Sequence, residues 1–170
     1  IRDCLLSRGL GDVYKRQLIV LSKRLFNKVT KLLDIPVALA MRYGSISIKK
    51  GLSELDKKGV KDVLVLPLYP HYAMSSYETV VEKVKEEREA HFPNLNIDVI
   101  PPFYKNPEYI DILSAKIEES IKSVEFDHLL FSYHGIPISH LKISDKTNSH
   151  CYKVNDCCNV DSLAHRTCYK

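Results

Sequence analysis

The sequence lacks a long apolar run, a dominant sign of charge and a recognisable secretory leader, and each absence narrows what the chain does. No stretch approaches the roughly 18 consecutive apolar residues that a membrane span requires, so the protein is expected to stay in water. Its 25 Lys and Arg face 21 Asp and Glu, a formal net charge of +4, with the two signs interleaved. That balance offers little to a nucleic acid, although a small anionic ligand stays open. With 45% hydrophobic and 27% charged residues among 170, the composition is that of a soluble globular protein rather than a disordered one. A chain of this length buries roughly two thirds of its unfolded surface, enough for one core. Five cysteines are present, and four of them fall between Cys151 and Cys168. Without a secretory leader such a cluster reads as metal or redox chemistry before disulfides. No transit peptide or hydrophobic tail is visible, so a cytoplasmic location is the default expectation.

Both ends look cut. Residues 1–17 (IRDCLLSRGLGDVYKRQ) start on Ile1 rather than Met and show no clear period. They resemble translated adapter sequence and are set aside, with Cys4, as a non-native scar. At the other end the chain stops two residues after Cys168 with no closing element, and the natural protein is expected to continue.

Between these ends, strand and helix patterns alternate. Leu18, Leu21, Leu25, Val29 and Leu32 recur at helical spacing, predicting an amphipathic helix over 18–33. The apolar run 37–40 predicts a buried strand, followed by the turn Met41-Arg42-Tyr43-Gly44. A second helix is expected over 47–58, stopped by Gly59. The run 63–68 reads as a strand ended by Pro67, and the loop 69–76 is rich in aromatic and hydroxyl groups. A helix over 77–90 carries a Glu, Lys and Arg face that reads as solvated. Residues 95–99 alternate as a third strand, Pro101-Pro102 is the best linker, and Pro107 opens a helix to about 123. Residues 126–132 (FDHLLFS) read as a fourth strand. The order predicts an α/β fold, an open and mostly parallel sheet flanked by helices.

In such sheets ligands bind beyond the carboxyl ends of the strands. Three turns lie there: 41–44, 69–76 and 132–137. They bring a cation (Arg42), phenols (Tyr43, Tyr72), imidazoles (His71, His134) and hydroxyls (Ser75, Ser76) to one edge. His134 follows a strand-like run directly, with Gly135 allowing close approach and Pro137 fixing the exit. A neutral imidazole there can bind a divalent metal or accept a proton; a plain hydrogen-bonded histidine is the competing reading. His91 and His128 are read as structural. Cys151, Cys157, Cys158 and Cys168 are spaced C-x5-C-C-x9-C, flanked by His150 and His165. Four soft thiolates this close can surround a Zn²⁺ ion or an iron–sulfur centre, or remain unligated. The spacing matches neither a plant-type ferredoxin nor a C-x2-C zinc ribbon.

Three segments, ALAMRYG at 38–44, LPLYPHYAMSSYET at 66–79 and SYHGIP at 132–137, together resemble ferrochelatase, which inserts ferrous iron into protoporphyrin IX to make haem. The resemblance covers about 18–170. It implies two similar α/β domains with the porphyrin between them, the first continuing over 18–104 and the second starting over 105–170. It implies His134 as the active-site histidine that binds metal, accepts pyrrole protons, or both. Arg42 and Tyr43 then match cleft-wall positions, and Tyr72, Ser75 and Ser76 the porphyrin-facing loop. Some ferrochelatases carry a [2Fe–2S] cluster, in certain bacterial branches on an internal segment after the histidine motif. The resemblance therefore favours [2Fe–2S] on Cys151, Cys157, Cys158 and Cys168, with structural Zn²⁺ second. The segment after the histidine departs from the family's usual Arg and Gly-Asp-Pro-Tyr text, reading Ile138-Ser139-His140 and then Ser144-Asp145-Lys146-Thr147. The family's second catalytic acid, a late glutamate, is expected beyond Lys170, so this fragment alone is expected to be inactive. The alternatives are a sirohydrochlorin-type chelatase or a non-catalytic porphyrin-binding or metal-cluster module. Protoporphyrin and coproporphyrin stand equally open as substrates.

Overall fold

The computed structural model describes residues 5–160, 162 and 164. Their order is α1 (Leu5–Leu32), α2 (Ile48–Lys57), β1 (Asp62–Val65), a π-helical turn (Met74–Glu78), α3 (Thr79–His91), β2 (Asn96–Val99), α4 (Pro107–Ile121) and α5 (Ile138–Ser144). The fold is α/β, as the alternation of patterns predicts. β1 and β2 form a two-stranded sheet. Asn96 N–H donates to the Lys61 carbonyl at 2.8 Å and Ile100 N–H to the Val65 carbonyl at 2.9 Å. Both bonds keep one register with the strands running the same way, which is a parallel ladder. The connection through α3 is the crossover that a parallel pair needs.

Two compact units divide the chain, one formed by residues up to 63 with 83–98, the other by 64–82 with residues from 99 onward. In the first unit, α2 shows how its sequence sets its ends and its buried face. Ser47 caps it by accepting from the Lys50 N–H at 3.3 Å, which satisfies an otherwise orphaned amide. Gly59, at a φ of +78°, turns the chain out of the helix, a conformation that costs glycine little. Ile48, Gly51, Leu52 and Leu55 form its buried stripe, at the spacing that places side chains on one helix face. Leu95 is fully buried, and Val63 and Val84 are also core residues. Gly51 lets the segment 38–40 come close, because a Cβ there would sit 3.1 Å from the Ala40 Cβ. The charged face of α3 is solvated at Glu82, Lys85, Glu86 and Glu89, whereas Lys83 and Glu87, paired at 3.0 Å, and Arg88, which donates to the Leu95 carbonyl at 2.9 Å, are half-buried. His91 accepts from Lys49 at 3.0 Å, a structural role.

Two expected strands do not form. Residues 37–40 make no ladder, and the turn after them has only an isolated bridge between Met41 and Ser47. Residues 126–132 also lie outside any strand, and Leu130 is 88% exposed. An apolar run reports a capacity for burial, but a strand exists only with a hydrogen-bonded neighbour. Among the described residues the only strand pair is β1 with β2. The remaining differences are local. α1 reaches back to Leu5, through the segment set aside as a scar, and β1 ends two residues before Pro67. α3 is preceded by the π turn rather than starting at 77. α5 was not expected from the sequence. No helix among the described residues is long and apolar enough to cross a membrane.

Candidate functional site

In the second unit, the loop after β1 is built around aromatic rings and one backbone irregularity. Glu78 N–H donates to the Ala73 carbonyl at 3.2 Å, the five-residue step that defines the π turn, a feature frequent at functional sites. Tyr77 anchors the turn by donating its phenol to the Ile100 carbonyl at 2.9 Å. Thr79 adds a hydroxyl bond to the Ser76 carbonyl at 2.9 Å. Ser75 and Ser76 ride on this turn, Ser75 exposed and Ser76 half-buried. Ahead of them, Tyr72 donates to the Glu78 carboxylate at 2.7 Å. Burial, and then this bond to Glu78, push the Tyr72 phenol up to about 12, so at neutral pH it holds its proton and donates.

The histidine turn meets this loop through rings. His71 stacks on Tyr104 with centroids 5.2 Å apart and meets Tyr133 edge-on at 6.4 Å. Tyr133 directly precedes His134, so the loop 69–78 and the histidine turn come together. His134 is exposed, and its Nδ1 lies 2.8 Å from the Gly135 carbonyl. A carbonyl only accepts, so Nδ1 carries the proton in that bond. In the neutral ring the Nε2 lone pair is then left to take a metal or a proton.

The cysteine segment is organised by Asp145, which is buried. One carboxylate oxygen accepts from the Thr147 N–H at 3.0 Å and its hydroxyl at 2.5 Å. The other accepts from the His150 and Cys151 N–H groups, each at 2.9 Å. The Thr147 hydroxyl and these backbone donors hold the Asp145 carboxyl well below the usual carboxylate range. With the folded value depressed, this stabilisation is present above the ordinary Asp titration and is lost as pH falls through the lowered value. The buried His150 ring extends the arrangement, its Nε2 lying 2.7 Å from the Cys157 carbonyl. Cys157 and Cys158 hold their sulfurs 4.0 Å apart. Asn148, Tyr152 and Asp156 take positive φ values of 54°, 61° and 54°, the tight turns that let so short a segment wind on itself.

Of the residues singled out from the sequence, Tyr72, Ser75, Ser76, His134, Cys151, Cys157 and Cys158 belong to the second unit. Arg42 and Tyr43 belong to the first, where the Arg42 guanidinium lies 4.8 Å from the Tyr43 ring centroid, a cation–π contact. Cys4, Cys168 and His165 lie outside the described residues. Among the described residues no group of three or more His, Cys, Asp or Glu is placed to hold a metal ion. Sequence reasoning missed the organising role of Asp145. Its signal was an Asp two residues before a Thr, a pattern of local turn bonding.

Residues 10–169 match the ferrochelatase family model. The match begins inside the segment set aside as a scar. A ferrochelatase of Opitutus terrae is 44% identical over 155 residues, covering 90% of this chain and 45% of the relative. One of Pseudomonas fluorescens is 40% identical over 155 residues, with the same coverage of each. One of Stutzerimonas stutzeri is 41% identical over 158 residues, again 90% of this chain and 45% of the relative. The chain thus spans about half the length of the curated relatives it matches.

Proposed function

Since the chain belongs to the ferrochelatase family, we propose that it forms part of a lyase of haem biosynthesis that inserts ferrous iron into protoporphyrin IX or coproporphyrin III. The observation that carries this reading is the His134 ring, exposed and held by the Gly135 carbonyl in the tautomer that presents Nε2. Metallation removes two pyrrole protons as Fe²⁺ sheds its water, so it needs a neutral base and a metal ligand at one place. His134 supplies the atom for either step. Arg42 and Tyr43 are assigned to the cleft wall, Arg42 to a porphyrin propionate or to a water network. The loop carrying Tyr72, Ser75 and Ser76 faces the macrocycle, where the Tyr72 ring acts by shape because its hydroxyl is engaged with Glu78. Residues 18–104 contribute to one α/β domain and 105–170 to the start of a second.

The thiols form the second part of the proposal. Metal–sulfur bonds of about 2.3 Å set a tetrahedral edge of about 3.8 Å, and the Cys157 and Cys158 sulfurs stand 4.0 Å apart. This pair therefore fits one edge of a thiolate-bound centre. We assign Cys151, Cys157, Cys158 and Cys168 to a [2Fe–2S] cluster, with Zn²⁺ as the alternative on the same donors. When bound, the group supplies a cross-link that orders a segment with little apolar content.

The test is anaerobic incubation of the full-length protein with ferrous iron and each porphyrin, following the loss of porphyrin fluorescence and the appearance of haem absorption. Metallation of at least one of the two is expected. Failure with both, alongside metallation of sirohydrochlorin, would move the assignment to that class of chelatase.

A further inference from the structure

The cysteine segment contains a polar frame to which the assignments above give no part in binding. The buried Asp145 carboxylate accepts the Thr147 N–H and hydroxyl on one oxygen and the His150 and Cys151 N–H groups, each at 2.9 Å, on the other. His150, also buried, is then fixed at three points. Its N–H is held by Asp145, its carbonyl accepts the Lys153 and Val154 N–H groups at 3.1 Å each, and its Nε2 lies 2.7 Å from the Cys157 carbonyl. A carbonyl only accepts, so the Nε2 proton makes that bond. Asp145 thus fixes the backbone at Cys151 and, through His150, the backbone at Cys157. The thiols themselves are not gathered, since among the described residues no group of three or more His, Cys, Asp or Glu is placed to hold a metal ion. What is ordered ahead of any metal is the chain that carries them, and a site whose chain is ordered in advance binds more tightly.

We propose that Asp145 and His150 are positioning residues for the thiol-bound centre, Asp145 acting on Cys151 and His150 on Cys157, with neither giving a donor atom to the metal. The proposal rests on the reading of these cysteines as ligands. Each Asp145 oxygen already accepts two hydrogen bonds, which fills the acceptor capacity of a carboxylate. For His150 the rival role is ligation through Nδ1, because a histidine that donates one ring N–H to a carbonyl can bind metal through its other nitrogen. Four cysteines already complete a tetrahedral set, which leaves His150 the work of holding Cys157.

The experiment is an anaerobic titration of the metal-free, full-length protein with cobaltous ion alone. Thiolate-to-cobalt charge-transfer absorption reports the thiol centre, and the visible ligand-field bands report its donor set. Amide exchange at Cys151 is measured on the same protein before metal is added. Asp145→Ala should speed that exchange and weaken cobalt binding at the thiols roughly 10–100-fold, with unchanged bands at saturation. His150→Ala should weaken binding on the same scale. His150→Gln, which places an amide N–H near the position of the imidazole Nε2–H, should keep the wild-type affinity and bands. Wild-type affinity in Asp145→Ala or in His150→Ala would overturn the proposal. His150→Gln as weak as His150→Ala would remove the bond to Cys157 as the cause, and altered bands would make His150 a ligand. If Asp145→Ala does not fold, as judged by exchange in α4, the two His150 variants decide by the same criteria. Fast Cys151 exchange in a wild type that does bind cobalt through thiolates would overturn the positioning alone. Slow Cys151 exchange in a wild type that shows no charge-transfer absorption would overturn the thiol centre, and the positioning role with it.

Discussion

His134→Ala in the full-length protein lowers iron insertion roughly 10²–10⁴-fold, the usual contribution of a positioned acid or base, while leaving the fold unchanged. The two halves of this expectation have separate physical grounds. The ring is exposed, and among the described residues its hydrogen-bond partner is the Gly135 carbonyl, which water satisfies when the imidazole is removed. Substitutions of this kind usually change stability by no more than about 0.5 kcal/mol. The chemistry has no such substitute, because alanine offers neither a lone pair for Fe²⁺ nor a base for the pyrrole protons. The loss should fall on kcat rather than on the KM for porphyrin, since the macrocycle is assigned to other residues. Steady-state rates with porphyrin and iron varied separately check this, and turnover retained near the wild-type level would remove His134 from the mechanism.

Cys158→Ser is expected to abolish the bound centre. A hydroxyl is a hard, protonated group where a soft thiolate is required, and Cys158 forms one end of the 4.0 Å sulfur pair that matches a ligand edge. Iron and acid-labile sulfide, measured on protein purified without air, should fall from cluster levels to background, and thermal stability should fall with them. Removing the metal from the wild-type protein with a chelator should reproduce the same loss of stability, because binding to such a segment also orders it. Unchanged iron and sulfide in the variant would refute Cys158 as a ligand. Metal without sulfide in the wild type would identify zinc.

Much of the fold is visible in local signals. Ser47 and Gly59 mark the ends of α2, and Asn106 with Pro107 marks the start of α4, where the Asn106 side chain accepts from the Tyr109 N–H at 2.9 Å. These are decisions made within one helical turn, so a sequence read turn by turn contains them. The segments 37–40 and 126–132 are different. Their apolar composition is that of strands, but pairing depends on a neighbour that no local pattern specifies, and the structure leaves both outside its two-stranded sheet. The π turn was also hidden, because it depends on Tyr77 reaching Ile100 and Tyr72 reaching Glu78 rather than on any helix propensity.

The candidate site divides in the same way. His134 was legible because an apolar run, a glycine and a proline frame it, and chemistry at such a position is expected on general grounds. The cysteines were legible by their number and closeness. Asp145 was not, since its partners are mostly backbone N–H groups whose convergence appears only when the chain has turned through Asn148. The contact of His71 with Tyr133 joins residues far apart in sequence, and no periodicity announces it.

Both roles proposed for His134 require that its proton sit on Nδ1. Nitrogen NMR of the full-length protein with labelled histidine reads this directly. The expected result is a neutral ring protonated at Nδ1, with an Nε2 signal of unprotonated type that shifts or broadens when cobaltous ion is added as a stand-in for ferrous iron. A ring protonated at Nε2, or an Nε2 signal that the metal leaves untouched, would contradict it.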